Sequence, residues 1–168
     1  MGYVHDTAMA AWTSPAEVTP TVGTWAMDVA SHIWTLNKSA AADTSVLKVP
    51  LKLPTNAVGL KGAYLKTIDI YWVNGTANLT DMSVEVYLST LPAQAGTLTT
   101  ALQTTTYDSG HTTAAMRYTQ AQHKMTITLT TPIWINSTSE VYVELTCNAA
   151  ATSAVKLQGV MANYTFRL

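Results

Sequence analysis

Asp108, His111 and His123 are the residues whose types and spacing come closest to a metal-binding cluster. Asp108 and His111 lie three positions apart in an irregular stretch, and His123 follows near its end. A zinc site needs three or four carboxylate, imidazole or thiolate ligands held close together. The other two histidines are far away in the sequence, so we expect solvated loop residues here and no bound metal.

The arrangements that catalysis requires are not apparent elsewhere. Ser109 and His111 lie close in sequence, but without the pattern that surrounds a nucleophilic serine. Glu85 and Glu144 are candidates for a glycosidase carboxylate pair, yet each lies among hydroxyl groups on the polar face of a predicted strand. A glycine-rich phosphate loop does not occur. The sequence therefore predicts that the protein is not an enzyme and binds no cofactor.

Tyrosine side chains form a second kind of candidate site. Tyr71, Tyr87 and Tyr142 lie on the polar phases of three predicted strands, so they would form one stripe if those strands were neighbours. Such a stripe either stabilises the sheet through cross-strand aromatic pairs or contacts a carbohydrate or protein partner. We keep both interpretations at this point.

Residues 1–30 predict an extended N-terminal arm ahead of a single domain spanning residues 31–168. Pro15 and Pro20 exclude a continuous helix, and the apolar residues show no regular period. The arm either folds onto its own domain or crosses to a neighbouring subunit, where exposed tryptophans are enriched. The candidate interface residues are thus Trp12, Trp25, Met27, Tyr71, Tyr87 and Tyr142.

Strand periodicity is clearest in residues 60–91. Apolar residues alternate with polar ones on both sides of Asn74 and Gly75, which together are typical of a turn. The pattern predicts an antiparallel hairpin lying on a core. The apolar phase slips near Lys66 and Thr67, which predicts a β-bulge there.

Further alternating segments complete the prediction of an all-β fold. They cover residues 47–53, 125–135, 141–147 and 155–168. About eight strands with one apolar face each predict an antiparallel β-sandwich of jelly-roll or Greek-key type, with an immunoglobulin-like sandwich as the alternative. Cys147 is the one cysteine and occupies an apolar phase, so we expect a buried, unreactive thiol.

The composition narrows the class of partner. Charged residues make up 11% of the 168 residues, 29 are threonine, and the net charge is −1. Nucleic-acid binding normally needs a basic surface, so we do not expect a nucleic-acid partner. The sequence has no apolar run of 18 residues, so we expect no transmembrane helix. The sequence as given has no secretory signal, so synthesis in the cytoplasm is expected. Sparse charge is compatible with burial in an assembly.

The chain resembles the small β-sandwich structural proteins of tailed-phage virions, such as capsid decoration, head-fibre and tail-associated proteins. The resemblance covers residues 45–168 and lies in Thr- and Ala-rich strands, sparse charge, a lone cysteine and the apolar arm; the segments YDSGHTTAAMRYT and ANYTFRL look like stretches of phage-type proteins. It implies a non-catalytic virion subunit, made in the host cytoplasm and docked on a shell as a homo-oligomer, expected to be a trimer. The alternative is a carbohydrate- or receptor-binding module.

Overall fold

The computed structural model describes residues 6–30, 34–54, 63–92 and 96–167, in which twelve strands form two antiparallel sheets. Strands are labelled in chain order. Sheet A contains β1 (Asp6–Thr13), β3 (Trp25–Asp28), β4 (Thr35–Lys38), β6 (Ala63–Asn74), β9 (Thr105–Tyr107), β10 (Gln122–Ile135) and β12 (Val155–Arg167). Sheet B contains β2 (Thr19–Val22), β5 (Asp43–Leu51), β7 (Asp81–Thr90), β8 (Thr99–Leu102) and β11 (Ser139–Ala149). A 3-10 turn covers Pro15–Glu17, and helix α1 covers Ala114–Tyr118.

Eight of these strands have the order of a jelly roll. Sheet A contains β4-β12-β6-β10 and sheet B contains β5-β11-β7-β8, so the chain changes sheet after every strand of this set except β7. The structure confirms the predicted antiparallel β-sandwich of about eight strands. Strand β1, with eight residues, and the shorter strands β2, β3 and β9 extend the two sheets. None of the described helices is long and apolar enough to cross a membrane.

The predicted hairpin of residues 60–91 is wrong, because β6 and β7 belong to different sheets. Residues 75–80 cross between the sheets instead of forming a tight turn. The Asn74 side chain does not occupy a turn; its Nδ2 donates to the carbonyls of Arg117 and Thr119 at 3.2 and 2.9 Å. A period of two identifies which face of a strand is apolar, but it does not identify the neighbouring strand.

The core lies between the two sheets and contains the apolar phases that the sequence predicts. Trp72, Ile70 and Met125 of sheet A face Met82 of sheet B, and all four are at most 1% exposed. Cys147 is also buried, as predicted, and burial raises the pKa of its thiol to about 12. The thiol is therefore protonated at neutral pH and packs as a small apolar group.

The part of the predicted arm that the structure describes belongs to the sandwich. Strand β1 pairs with β12 over eight residues, β2 pairs with β5, and β3 pairs with β4, all within the same chain. The terminal residues 1–5 lie outside the described residues. The alternative, in which the arm crosses to a neighbouring subunit, stays a prediction.

Two β-bulges shape the outer face of sheet A. The pairing of β6 with β12 skips Lys66, which confirms the bulge predicted there, and it also skips Gln158 before Gly159. Gly159 has φ +147°, a backbone conformation that side chains strongly disfavour. The indole of Trp12 lies over Gly159, and a Cβ added there would be 2.1 Å from Trp12 Cζ2. Glycine is required at this position both for its φ and for the space that the indole occupies.

We predict that Gly159→Ala expels the Trp12 ring and destabilises the fold by about 1–3 kcal/mol, since the methyl group clashes and the backbone is strained. Urea unfolding would measure the loss, and tryptophan fluorescence would shift to longer wavelength. Gly75→Ala is the matched control, because its nearest neighbour, the Ala154 carbonyl oxygen, is 3.8 Å away. Equal stabilities of the two variants would contradict the prediction.

Candidate functional site

The residues predicted to be scattered in a loop form one hydrogen-bonded chain. His111 Nδ1 lies 2.8 Å from Asp108 Oδ1, and His111 Nε2 lies 3.2 Å from His123 Nδ1. His123 Nε2 lies 2.9 Å from the carbonyl oxygen of Thr119. Both imidazoles are buried, and His123 stacks on Trp72 with ring centroids 4.6 Å apart. The expectation of solvated loop histidines is therefore wrong.

Hydrogen-bond acceptors lie at both ends of this histidine pair. The Asp108 carboxylate faces His111 Nδ1, and the Thr119 carbonyl faces His123 Nε2. Burial, with a smaller contribution from His111, lowers the pKa of His123 against the opposing Thr119 carbonyl. His123 is therefore neutral at pH 7; its Nε2 donates to the Thr119 carbonyl, and its unprotonated Nδ1 faces His111 Nε2.

Asp108 is held ionised by its hydrogen bonds. Burial by itself raises the pKa of Asp108, but the Thr126 backbone N–H, the His111 ring and the Gly110 N–H outweigh that effect. The Thr126 bond is 2.6 Å long. The pKa of this carboxyl consequently lies below its ordinary value, so the group is ionised at neutral pH.

Arg117 connects the same loop to sheet B. Its Nε donates to the Met82 carbonyl at 3.0 Å, and its Nη1 donates to the His111 carbonyl at 2.8 Å. The guanidinium also lies 4.6 Å from the ring centroid of Tyr107. Among the described residues no group of three or more His, Cys, Asp and Glu side chains could hold a metal ion. The cluster thus acts as a buried polar joint that fixes residues 108–123 to the sandwich.

The outer face of sheet B carries the two candidate carboxylates and two of the candidate tyrosines. Glu144 pairs directly with Glu85 across β11 and β7. Lys48 Nζ lies 3.5 Å from Glu144. Tyr87 Oη donates to Glu85 at 2.6 Å, which together with burial raises the Tyr87 pKa to about 12. The rings of Tyr87 and Tyr142 stack on each other, 5.2 Å apart at 15°.

The predicted stripe of three tyrosines is divided between two faces. Tyr71 lies on β6 in sheet A, so it cannot align with Tyr87 and Tyr142 of sheet B. It contacts Trp12 instead, with ring centroids 5.7 Å apart at 52°. Trp12 is 49% exposed although it rests on Gly159. We name Trp12 and Tyr71 the aromatic platform.

Polar groups lie directly beside the aromatic platform. Asp69 is only 6% exposed, and its carboxylate accepts hydrogen bonds from Thr126 Oγ1 at 2.6 Å and Asn163 Nδ2 at 3.4 Å. Lys124 Nζ lies 3.5 Å from Asp69 and 5.6 Å from the Tyr71 ring centroid. The Asp69 charge, followed by the Tyr71 hydroxyl, raises the pKa of Lys124. The side chains around Asp69 form a polar floor with hydroxyl, amide, ammonium and carboxylate groups.

Trp25 and Met27 do not contribute to this face. They pair with Lys38 and Leu36 on β4, whose side chains are buried, so they point toward the interior side of sheet A at its edge. Trp25 is half-buried against the core and donates Nε1 to the Val22 carbonyl at 3.3 Å. The six candidate interface residues consequently occupy three separate regions of the molecule.

Sequence reasoning missed Asp69, Lys124 and Asn163 as partners of the platform. They lie on β6, β10 and β12, and neighbours across a sheet have no signature in sequence spacing. One signal was available at Gly159, where the apolar phase of the last strand changes. A glycine inside a strand often marks a bulge or a close approach of another group, which here is the Trp12 ring.

We predict that the free energy of unfolding falls as the pH is lowered from 7.5 to 5.5. The pKa of His123 is lowered in the folded state, whereas a histidine of the unfolded chain has a pKa of about 6.5. The unfolded chain therefore binds the proton more readily than the folded protein as the pH falls. A proton on His123 Nδ1 also breaks its bond to His111, in a site that already holds the Arg117 charge. Urea unfolding at several pH values measures this slope.

His123→Gln removes the titrating group and should flatten the slope between pH 7.5 and 5.5. A further loss below about pH 4 should persist in the variant, because Asp108, whose pKa is lowered, then becomes protonated. A variant with the same slope as the wild type would contradict the assignment of the lowered pKa to His123.

No protein-family model matches the sequence, and no curated protein matches it. The chain is similar to several solved structures, each at low identity. A xylan-binding module, CBM86 of the gut symbiont Roseburia intestinalis, is 11% identical over 93% of this chain and 94% of its own, with a TM-score of 0.40. TmCBM61, solved with β-1,4-galactotriose, is 11% identical over 96% of this chain and 88% of its own, with a TM-score of 0.34. The enzymatically active domain of bacteriophage CBA120 tailspike protein 4 is 8% identical over 92% of this chain and 19% of its own, with a TM-score of 0.35.

Proposed function

We propose that this chain is a non-catalytic glycan-binding β-sandwich whose ligand lies on the outer face of sheet A, over Trp12 and Tyr71. The observation that carries the proposal is a half-exposed indole fixed in place beside a polar floor. Sugar rings have an apolar face of C–H groups and a rim of hydroxyls. They therefore need an aromatic surface next to hydrogen-bonding side chains.

The aromatic platform supplies the aromatic surface that a sugar ring requires. The negative face of an aromatic ring attracts the weakly positive C–H groups of a pyranose. Gly159 supports Trp12 from below, and the Tyr71 ring meets it from the side, so the indole is oriented before a ligand arrives. Preorganisation of this kind lowers the entropy cost of binding.

The polar floor supplies the hydrogen-bonding side chains that sugar hydroxyls require. Asp69 and Thr126 offer acceptors, Asn163 offers both a donor and an acceptor, and Lys124 offers donors. These groups are already hydrogen-bonded to one another at distances of 2.6 to 3.5 Å. Because the network fixes their positions, ligand hydroxyls meet groups of defined geometry.

The outer face of sheet B suits a glycan less well. The Tyr87 and Tyr142 rings cover each other, and Lys48 Nζ lies 5.3 Å from the Tyr142 ring centroid. Tyr87 Oη is bound to Glu85. The aromatic surface there is consequently used in contacts within the protein, which supports the cross-strand stabilising role for this pair.

We predict that Trp12→Ala weakens glycan binding by about 2 kcal/mol, or roughly 30-fold, because it removes the stacking surface. Affinity electrophoresis against soluble plant, algal and bacterial polysaccharides would find a ligand, and calorimetry would measure the affinity. Tyr142→Ala is the matched control on the other face and should bind normally. Failure of the wild type to bind any polysaccharide, or equal binding by both variants, would overturn the proposal.

A structural subunit of a virion or a similar assembly is a second candidate function, favoured by the edge of sheet B. All four residues of β8 are exposed, and Leu102 is 58% exposed. An edge strand with exposed apolar side chains can pair with the edge of another chain. Trp34, at 56% exposed, is a further apolar residue available for contact.

For this second candidate we predict a homo-oligomer whose mass falls to that of the monomer in Leu102→Lys, since a lysine on an edge strand opposes pairing. Size exclusion with light scattering would measure the mass. Met116→Lys is the control, because Met116 is an exposed apolar residue on α1 rather than on a strand edge. A wild-type monomer at the highest soluble concentration would exclude assembly through β8.

A further inference from the structure

We propose that the ligand is an uncharged, linear glycan chain that runs along sheet A from the Trp12–Tyr71 platform to a second aromatic pair, Tyr64 and Trp134. The inference rests on the proposed glycan-binding function and names the class of glycan. It follows from the second pair, from the groove that lies between the two pairs, and from the balance of charge along that groove.

The second aromatic pair lies on the same outer face, farther along the same strands. Trp134 on β10 is directly opposite Tyr64 on β6, and their ring centroids are 4.5 Å apart at 59°. Both side chains are half-buried. Tyr64 and Tyr71 both lie on the outward side of β6; the bulge at Lys66 accounts for the odd number of positions between them.

A groove lies between the two pairs because β1 presents small side chains next to Trp12. Trp12, Ala10 and Ala8 lie on the outward phase of this strand, so the surface drops beyond the indole. Ala8 and Ala10 line a depression of about 570 Å³. Lys66 and Thr165 line both this depression and a second one of about 380 Å³ that includes Tyr64. We name the two depressions together the outer groove.

The length of the outer groove sets the length of the chain that fills it. Tyr71 and Tyr64 are seven positions apart on β6, which at the usual rise per strand residue and with one bulge is roughly 20 Å, the length of about four linked pyranose rings. A monosaccharide or disaccharide would reach only one aromatic pair. A longer chain would reach both and would cross the polar side chains of Thr67 and Asn163 between them.

The charges of the described side chains along the path cancel. Among those side chains, Lys66 and Lys124 are the lysines beside it, and Asp6 and Asp69 are the carboxylates. Asp69 is paired with Lys124 at 3.5 Å. A groove whose formal charges sum to zero favours a neutral polysaccharide over a polymer of uronic acids or sulfated sugars.

The test uses oligosaccharides of two to eight residues prepared from the neutral polysaccharide that the wild type binds most tightly. Affinity measured by calorimetry should rise at least about tenfold between the disaccharide and the tetrasaccharide, since a second aromatic contact is added, and should level off beyond about five residues. Affinity that does not rise beyond the disaccharide would overturn the inference while leaving the proposed function intact.

Variants then assign the added affinity to the second pair. Trp134→Ala should lower the affinity for the hexasaccharide about tenfold and leave that for the disaccharide unchanged, whereas Trp12→Ala should lower both. Ala8→Gln is an additional test that removes no aromatic contact: it fills the outer groove from an exposed position and should have the same length-dependent effect. Tyr142→Ala is again the control.

Each remaining outcome counts against the inference. Unchanged affinity for the long oligosaccharides in Trp134→Ala and Ala8→Gln would place the ligand outside the outer groove. Equal losses for short and long oligosaccharides would show that the second pair is not the contact added by chain length. Tighter binding of pectate or alginate than of any neutral polysaccharide would contradict the neutral class. If the wild type binds no glycan at all, the proposed function fails and this inference fails with it.

Discussion

Each long strand of this protein is apolar on one face only, and the whole architecture depends on covering those faces. A second sheet supplies the cover, and the chain changes sheet after nearly every strand of the jelly roll. The interior is then filled by side chains such as Trp72 and Met82, which are fully buried. What remains outside is a charge-poor surface in which the few aromatic and ionised groups have defined positions.

The sequence predicted which face of each strand is apolar far better than it predicted which strands pair with each other. The apolar phases of residues 125–135 and, within the predicted strand 155–168, of residues 155–166 are found in the structure, as are the bulge at Lys66 and the burial of Cys147. The hairpin between β6 and β7 was wrong because alternation carries no information about pairing over long distances. Strand β1 lacked a clear period because it is an edge strand with both faces largely exposed.

The candidate sites show the same limit. Asp108, His111 and His123 were recognised as a group, yet their role as a buried joint depends on the Trp72 ring and on the Met82 carbonyl that accepts from Arg117, and other parts of the chain supply both. Buried imidazoles are costly unless their nitrogens are hydrogen-bonded, and here every ring nitrogen of the two histidines has a partner. The long loop is thus held to the sandwich by polar contacts.

The position of Trp12 on an edge strand has a consequence for how binding properties could diverge among related chains. Alternate residues of β1 face away from the core, and on that side the strand contacts the rest of the protein chiefly through the indole over Gly159. Substitution of residues 8, 10 and 12 would therefore change the shape and chemistry of the outer surface without changing the packing of the interior. A sandwich with recognition residues on one edge strand can change what it recognises by few mutations that lie outside the core.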